Sequence, residues 1–243
     1  MKNLRAIVLV SVLSFIASAC SATLPIKKEP NKAPANAAKE LRSAEALLRA
    51  KDYKKALPRL KKLALENPES DISDDAHFLL AETYAAQNNS KEAVANYKSV
   101  TDAESASPLE AKARVHLVRL YLKDGLIEQA AAERKLLARM REIPEDTKVD
   151  ALVVEYEVLN AQKELLAAMI PLVAAAEQHP NPAERTKFRQ RALDYMDSKL
   201  TEDELETIAS SAKYGFLQPI AKYRYGIVSA EQKEFSRARS LFE

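Results

Sequence analysis

The residues of this chain that could carry chemistry are few and scattered. His77, His116 and His179 stand far apart, and none has a partner at metal spacing such as His-x-x-x-His. Cys20 is the single cysteine, so neither an internal disulfide nor a cysteine metal cluster can be built. The chain has 3 glycines, too dispersed for a phosphate-cradling loop, and no serine sits in a nucleophile elbow. The many Asp and Glu residues recur at helix-surface spacing, which does not single out an acid/base pair. The residues therefore predict a chain that is not an enzyme, with no metal, cofactor or small-molecule substrate. Lys+Arg (37) nearly balance Asp+Glu (35), and without Lys2 and Arg5 the two are level, so there is no general case for nucleic acid or an anionic surface.

Cys20 matters through its position. Met1–Ala19 has a short basic start, an apolar run from Ala6 to Ala17 and small residues up to the cysteine. This is the pattern of a secretory signal, with an apolar run too short to span a bilayer that needs about 20 such residues. Ala17-Ser18-Ala19-Cys20 resembles the lipobox of bacterial lipoproteins, although leucine is commoner where Ala17 stands. The resemblance implies lipidation of Cys20, which at about 0.8 kcal/mol per buried methylene makes anchoring effectively permanent. Ala17-x-Ala19 is also an ordinary signal-peptidase site cut at the same bond, which would leave a soluble periplasmic protein. Ser21 rather than Asp follows the cysteine, and by resemblance to enterobacterial sorting signals this implies the outer membrane of a Gram-negative cell, facing the periplasm. Residues 20–36 are small and polar with Pro25, Pro30 and Pro34, and predict a flexible tether in which Lys27 and Lys28 are solvated or touch anionic lipid.

What such a tether would hold is a repeat. Asp52-Tyr53-Lys54-Lys55-Ala56, Asn89-Ser90-Lys91-Glu92-Ala93 and Leu126-Ile127-Glu128-Gln129-Ala130 set their alanines 37 residues apart, as are Tyr84 and Tyr121. A period of that length in Ala-, Leu-, Lys- and Glu-rich sequence predicts stacked helix pairs. Asp52 is placed to cap the second helix of unit one, and Gly125 to end the first helix of unit three. Ser107-Pro108-Leu109-Glu110 has the spacing of a capping box, with proline at the first helical position. Pro58 and Pro171 fall inside helices and are expected to bend them.

These residues resemble the tetratricopeptide repeat family: small side chains at Ala44, Ala81 and Val118, large ones at Leu47, Tyr84 and Tyr121, the alanines Ala56, Ala93 and Ala130, and closing prolines such as Pro68. The departures are the 37-residue period, no aromatic at the family's fourth place, and Arg134 where unit two has Tyr97. The physical logic is packing, because a methyl group lets helix backbones approach while the large neighbour fills the gap. The expected fold is an all-α solenoid of antiparallel helix pairs, with three repeats over 37–144 and degenerate pairs over 145–243. By the family pattern Glu45, Arg49, Phe78, Glu82 and Arg119 point into a concave groove that takes a peptide or helix of an envelope protein.

A fourth unit aligns through Tyr156, Leu159, Ala168, Leu172 and Pro180. Asn181-Pro182-Ala183-Glu184 and Thr201-Glu202-Asp203-Glu204 are helix starts bracketing a decayed pair, and register returns at Tyr225, Gly226, Phe235, Ala238 and Phe242. Phe235 and Phe242 without a covering unit lead to the expectation that a longer protein continues past Glu243. The lipobox, tether and decayed middle together resemble the helical amino-terminal part of the activators of penicillin-binding proteins, which stimulate peptidoglycan synthesis. Two rival resemblances remain open. One is the outer-membrane assembly lipoprotein with similar repeats; the other is the non-catalytic superhelix of a lytic transglycosylase.

Overall fold

Five residues in left-handed backbone conformation set the architecture: Lys51 (φ 57°), Asn88 (58°), Gly125 (74°), Lys163 (66°) and Lys233 (67°). Each ends the first helix of a hairpin in the same pair of bonds. In the first, Lys51 N–H donates to the Leu48 carbonyl and Asp52 N–H to that of Leu47; Asn88, Gly125, Lys163 and Lys233 and their followers repeat this. Such a double bond satisfies the last carbonyls of one helix and aims the chain back along it. Five residues later comes an alanine in every case: Ala56, Ala93, Ala130, Ala168 and Ala238, the first four 0% exposed. At that depth a methyl is all the space allows, and the neighbouring helix packs directly onto it.

The computed structural model describes residues 27–68, 70–104 and 106–243; the leader and Cys20 lie outside them. Among the described residues there are twelve α-helices. The hairpins are α1 (Ala35–Arg49) with α2 (Tyr53–Glu66), α3 (Asp71–Ala86) with α4 (Ser90–Thr101), α5 (Glu110–Lys123) with α6 (Ile127–Ala138), and α7 (Glu145–Ala161) with α8 (Leu165–Gln178). After α9 (Pro182–Lys199), α10 (Glu202–Ala209) and a 3-10 turn (Ala212–Tyr214), α11 (Leu217–Glu231) pairs with α12 (Phe235–Phe242). The first four hairpins pack each on the next and α9 continues the stack on α8, an all-α solenoid as the repeat predicts. None of these helices is long and apolar enough to cross a membrane.

The core is a ribbon running the length of the stack. One buried cluster extends from Ala37 to Val158 and a second from Leu159 to Ala221, and they meet along α7. The helix-start signals hold where the side chain is free to turn back. Asp52 accepts from Lys55 N–H at 3.3 Å, Asn181 from Ala183 N–H at 2.9 Å, and Thr201 with Glu204 closes a full capping box. Both prolines lie inside continuous helices, Pro58 in α2 and Pro171 in α8.

Three expectations need correction. Ser107 accepts from Leu109 N–H at 3.2 Å, but α5 begins only at Glu110, so Pro108 is not its first residue and Glu110, whose carboxylate goes to Arg114 and Lys27, closes no capping box. The helices α9 and α10 are not a hairpin: α9 lies on α8 and α10 on α11. Their junction, extended at Leu200, lacks the left-handed turn that folds a pair together. Residues 27–34 are also not a free tether. Lys28 and Asn31 pair with the inter-unit loops at Glu104–Ala106 and Ser70, and Lys27 is buried to 21% exposure beside Glu110 instead of being solvated.

Lys163 and Lys233 adopt the left-handed conformation without the side-chain tolerance of glycine. That region costs an ordinary residue roughly 1 kcal/mol. Lys163→Gly is therefore expected to stabilise the chain by about 1 kcal/mol, visible as a rise of a few degrees in the thermal midpoint by circular dichroism. An unchanged midpoint would mean that the turn is not strained.

Candidate interaction face

The first helices of the hairpins repeat a register, and charged residues occupy it. Six places ahead of the first four left-handed turns stand Glu45, Glu82, Arg119 and Glu157, all half-buried, while the fifth turn has Ile227 at that place. One helical face further back are Asp75, Lys112 and Asp150. From α3 onward the face changes sign from one first helix to the next, being acidic on α3, basic on α5 and acidic on α7. Arg119 bridges α5 to α7 through Asp150 at 2.5 Å, and Arg49 sits 4.0 Å from Glu45 on α1. Between α1 and α3 a cavity of about 400 Å³ is lined by Glu45, Leu48, Arg49, Leu79, Glu82 and Thr83.

Four of the five residues singled out in the sequence lie on this face, and Phe78 lies beneath it. Phe78 is 4% exposed, its ring edge-on to Tyr97 at 5.4 Å and to His116 at 5.7 Å, with the Lys112 ammonium 5.1 Å over it. Its expected place in the groove is thus corrected: the ring is core, because Tyr97 of α4 and His116 of α5 close over it. Glu157 was missed in the sequence. Unit four is one residue longer between Gly125 and Lys163, so strict 37-residue spacing lands on Tyr156 instead. The signal that finds it is the turn residue, counted backwards.

Partial burial raises the carboxyl pKa of Asp75, Glu82 and Glu157 above the usual carboxylate range. For Asp75 the neighbouring Asp71 and Glu45 add to the effect; for Glu82 the Lys112 charge opposes it. Half-desolvated carboxylates of this kind gain from a cation that arrives with a ligand, which is how such a face can select an oppositely patterned partner.

The histidines are structural. His116 stacks on Tyr97 at 5.2 Å, His77 Nδ1 is 2.9 Å from Asn96 Oδ1, and His179 accepts from Asn181 N–H at the end of α8. No group of three His, Cys, Asp or Glu side chains able to hold a metal occurs among the described residues.

Two buried groups oppose each other in acid. Burial, helped by the Arg119 and Lys112 charges, lowers His116 to about 4, so it is neutral in the folded chain. Its contribution to stability is present above the unfolded value of 6.5 and is lost as pH falls toward 4. Asp74, 3% exposed, is raised to about 6 mainly by burial, so its contribution is full below 3.8 and is lost as pH rises through 6. At pH 7.5 Asp74→Asn is thus expected to stabilise by roughly 2 kcal/mol, an advantage gone by pH 4. His116→Phe keeps the stack and is expected to match the parent at pH 7.5 but exceed it by roughly 2 kcal/mol at pH 4. Urea unfolding across that range checks both, and parallel curves for parent and variants would refute the assignment.

A tetratricopeptide repeat family model matches residues 47–105, from the last turn of α1 to the loop ahead of α5. Comparison with curated proteins gives no match. Repeats of this kind generally mediate binding to protein partners.

Proposed function

We propose that the chain is a lipid-anchored, periplasm-facing scaffold of the outer membrane that recruits another envelope protein on the face of its first helices. The observation that carries recruitment is the register column Glu45, Glu82, Arg119 and Glu157, half-buried charges in one repeat position on successive helices. The anchor rests on the sequence Ala17-Ser18-Ala19-Cys20. The finer reading, activation of peptidoglycan synthesis, rests on the resemblance of the lipobox and of the decayed middle around residues 200–205 to activators of penicillin-binding proteins.

The test is affinity capture from solubilised envelopes with the parent and with Glu82→Lys/Arg119→Glu, alongside labelling of Cys20 by radioactive palmitate. The expected result is an envelope protein identified with the parent and reduced at least tenfold with the double reversal, at unchanged helicity. For the finer reading that protein is a peptidoglycan synthase whose rate rises when the purified chain is added. Equal recovery by parent and variant would sink the face, and absence of label on Cys20 would sink the anchor.

A further inference from the structure

The segment ahead of α1 is held by the body through backbone and side chain together. Ala106 N–H donates to the Lys28 carbonyl at 2.5 Å, and Lys28 N–H reaches the Glu104 carbonyl at 3.4 Å. Three residues on, Asn31 forms a parallel bridge with Ser70. The segment thus runs along the inter-unit loops, from the junction of repeats two and three back to that of one and two. These contacts are the strand-addition mode by which extended peptides bind, backbone bonds giving hold and a side-chain recess giving selectivity.

The recess accepts a lysine. Lys27 Nζ donates to the Thr101 carbonyl at 2.7 Å and lies 3.1 Å from Glu110 Oε2. Thr101 is the last residue of α4, whose end carbonyls lack helical donors and carry the negative end of the helix dipole. Asp74, with one carboxyl oxygen unpartnered, feels the Lys27 charge as well. A carbonyl at a helix terminus, a buried carboxylate and a second acid converge there, which suits an ammonium and rejects an acidic or apolar side chain. Beside the segment, Glu29 and Pro30 wall a cavity of about 620 Å³ whose far side is Met140, Ile143 and Pro144.

We propose that the loop edge formed by Ser70, Thr101, Glu104, Ala106 and Glu110 is a binding site for an extended, lysine-bearing segment, filled in cis by the chain's own Lys27–Asn31. The consequence is directional: the described chain begins at the junction of the second and third repeats, not at the start of α1. Where this is joined to the proposed anchor, on which only this last step rests, Cys20 is seven residues from the point of departure. At ~3.5 Å per residue the reach is about 25 Å, against about 50 Å if the chain were free to Ala35. The loop edge then faces the bilayer, and the first-helix face is presented sideways to it.

The experiment places spin labels at Lys32→Cys and Ser99→Cys in the Cys20→Ser chain and measures their separation by double electron–electron resonance. The parent is expected to give one narrow distance. Lys27→Glu and, without touching the buried acids, Lys28→Pro are each expected to broaden it several-fold while helicity is kept. A broad distribution in the parent, or a narrow one that survives both substitutions, overturns the proposal. So does a short distance appearing between singly labelled chains, which would place the segment on a second copy. The measurement is blind to lipidation, so failure of the anchor in palmitate labelling and failure of the cis site are read separately.

Discussion

Arg114→Ala is expected to destabilise the chain by about 3 kcal/mol, the cost of leaving buried carboxylates without their main partner. Arg114 on α5 donates to Glu110 Oε1 from Nε at 3.2 Å and from Nη2 at 2.8 Å, and to Glu133 Oε2 on α6 at 2.8 Å. All three side chains are 8% exposed or less, and Nη2 also reaches the Thr101 carbonyl at 3.4 Å. The group ties α5 to α6 and to the end of α4, and Lys27 and Lys98 form its outer members. Truncating the arginine leaves Glu110 with Lys27 and Glu133 with Lys98. Lys98 is 41% exposed, so water screens what it can offer. Neutralising the three central side chains tests whether burial of charge is the cause. Glu110→Gln/Arg114→Met/Glu133→Gln, which leaves only the outer Lys27 and Lys98 charged, is expected to recover at least half of the loss. If the triple variant is as unstable as Arg114→Ala in urea unfolding, lost packing of the guanidinium stem is the cause instead.

The same residues show what was legible beforehand. The fold was, because it rests on a rule that each unit states separately: a methyl where two backbones meet and a large side chain one turn away. Ala56, Ala93 and Ala130 needed no knowledge of the whole to be found. The caps at Asp52, Asn181 and Thr201 were legible for the same reason, since their bonds close within three residues. Glu110 was not. Its spacing from Ser107 is that of a local cap, and only the fold shows that Arg114 and Lys27 compete for it and win through charge. Residues 27–31 read as a tether because proline-rich polar composition describes what a segment cannot bury by itself. It says nothing of a carbonyl and a carboxylate waiting 74 and 83 positions along the chain from Lys27. Turn geometry was half legible: Gly125 announces its left-handed backbone, whereas Lys51, Lys163 and Lys233 adopt it under compulsion from the hairpin. Missing Lys163 concealed the extra residue of unit four, and with it Glu157.

Phe78→Ala is expected to be the most damaging single substitution in the first three repeats, at about 3–5 kcal/mol. The ring is 4% exposed and is the meeting point of three helices: its own α3, α4 through Tyr97, and α5 through His116. In a stack where each unit touches only its neighbours, stability is a sum of unit and interface terms, so a cavity at one interface is not shared by a larger core. The loss therefore falls on the coupling between repeats two and three. Beyond a lowered midpoint, the variant is expected to unfold in a broader transition than the parent as the two sides of the joint separate. Phe78→Leu retains most of the volume and is expected to lose only about 1–2 kcal/mol, with cooperativity preserved. The face above should respond as well, since Lys112 rests on this ring and Glu82 lies within reach of the Lys112 charge. Urea unfolding followed by circular dichroism and by tyrosine fluorescence separates the two effects. A loss below 1 kcal/mol for Phe78→Ala, with the two probes still coincident, would show that the aromatic contacts are not the joint, and the alanine registers alone would then have to hold the repeats together.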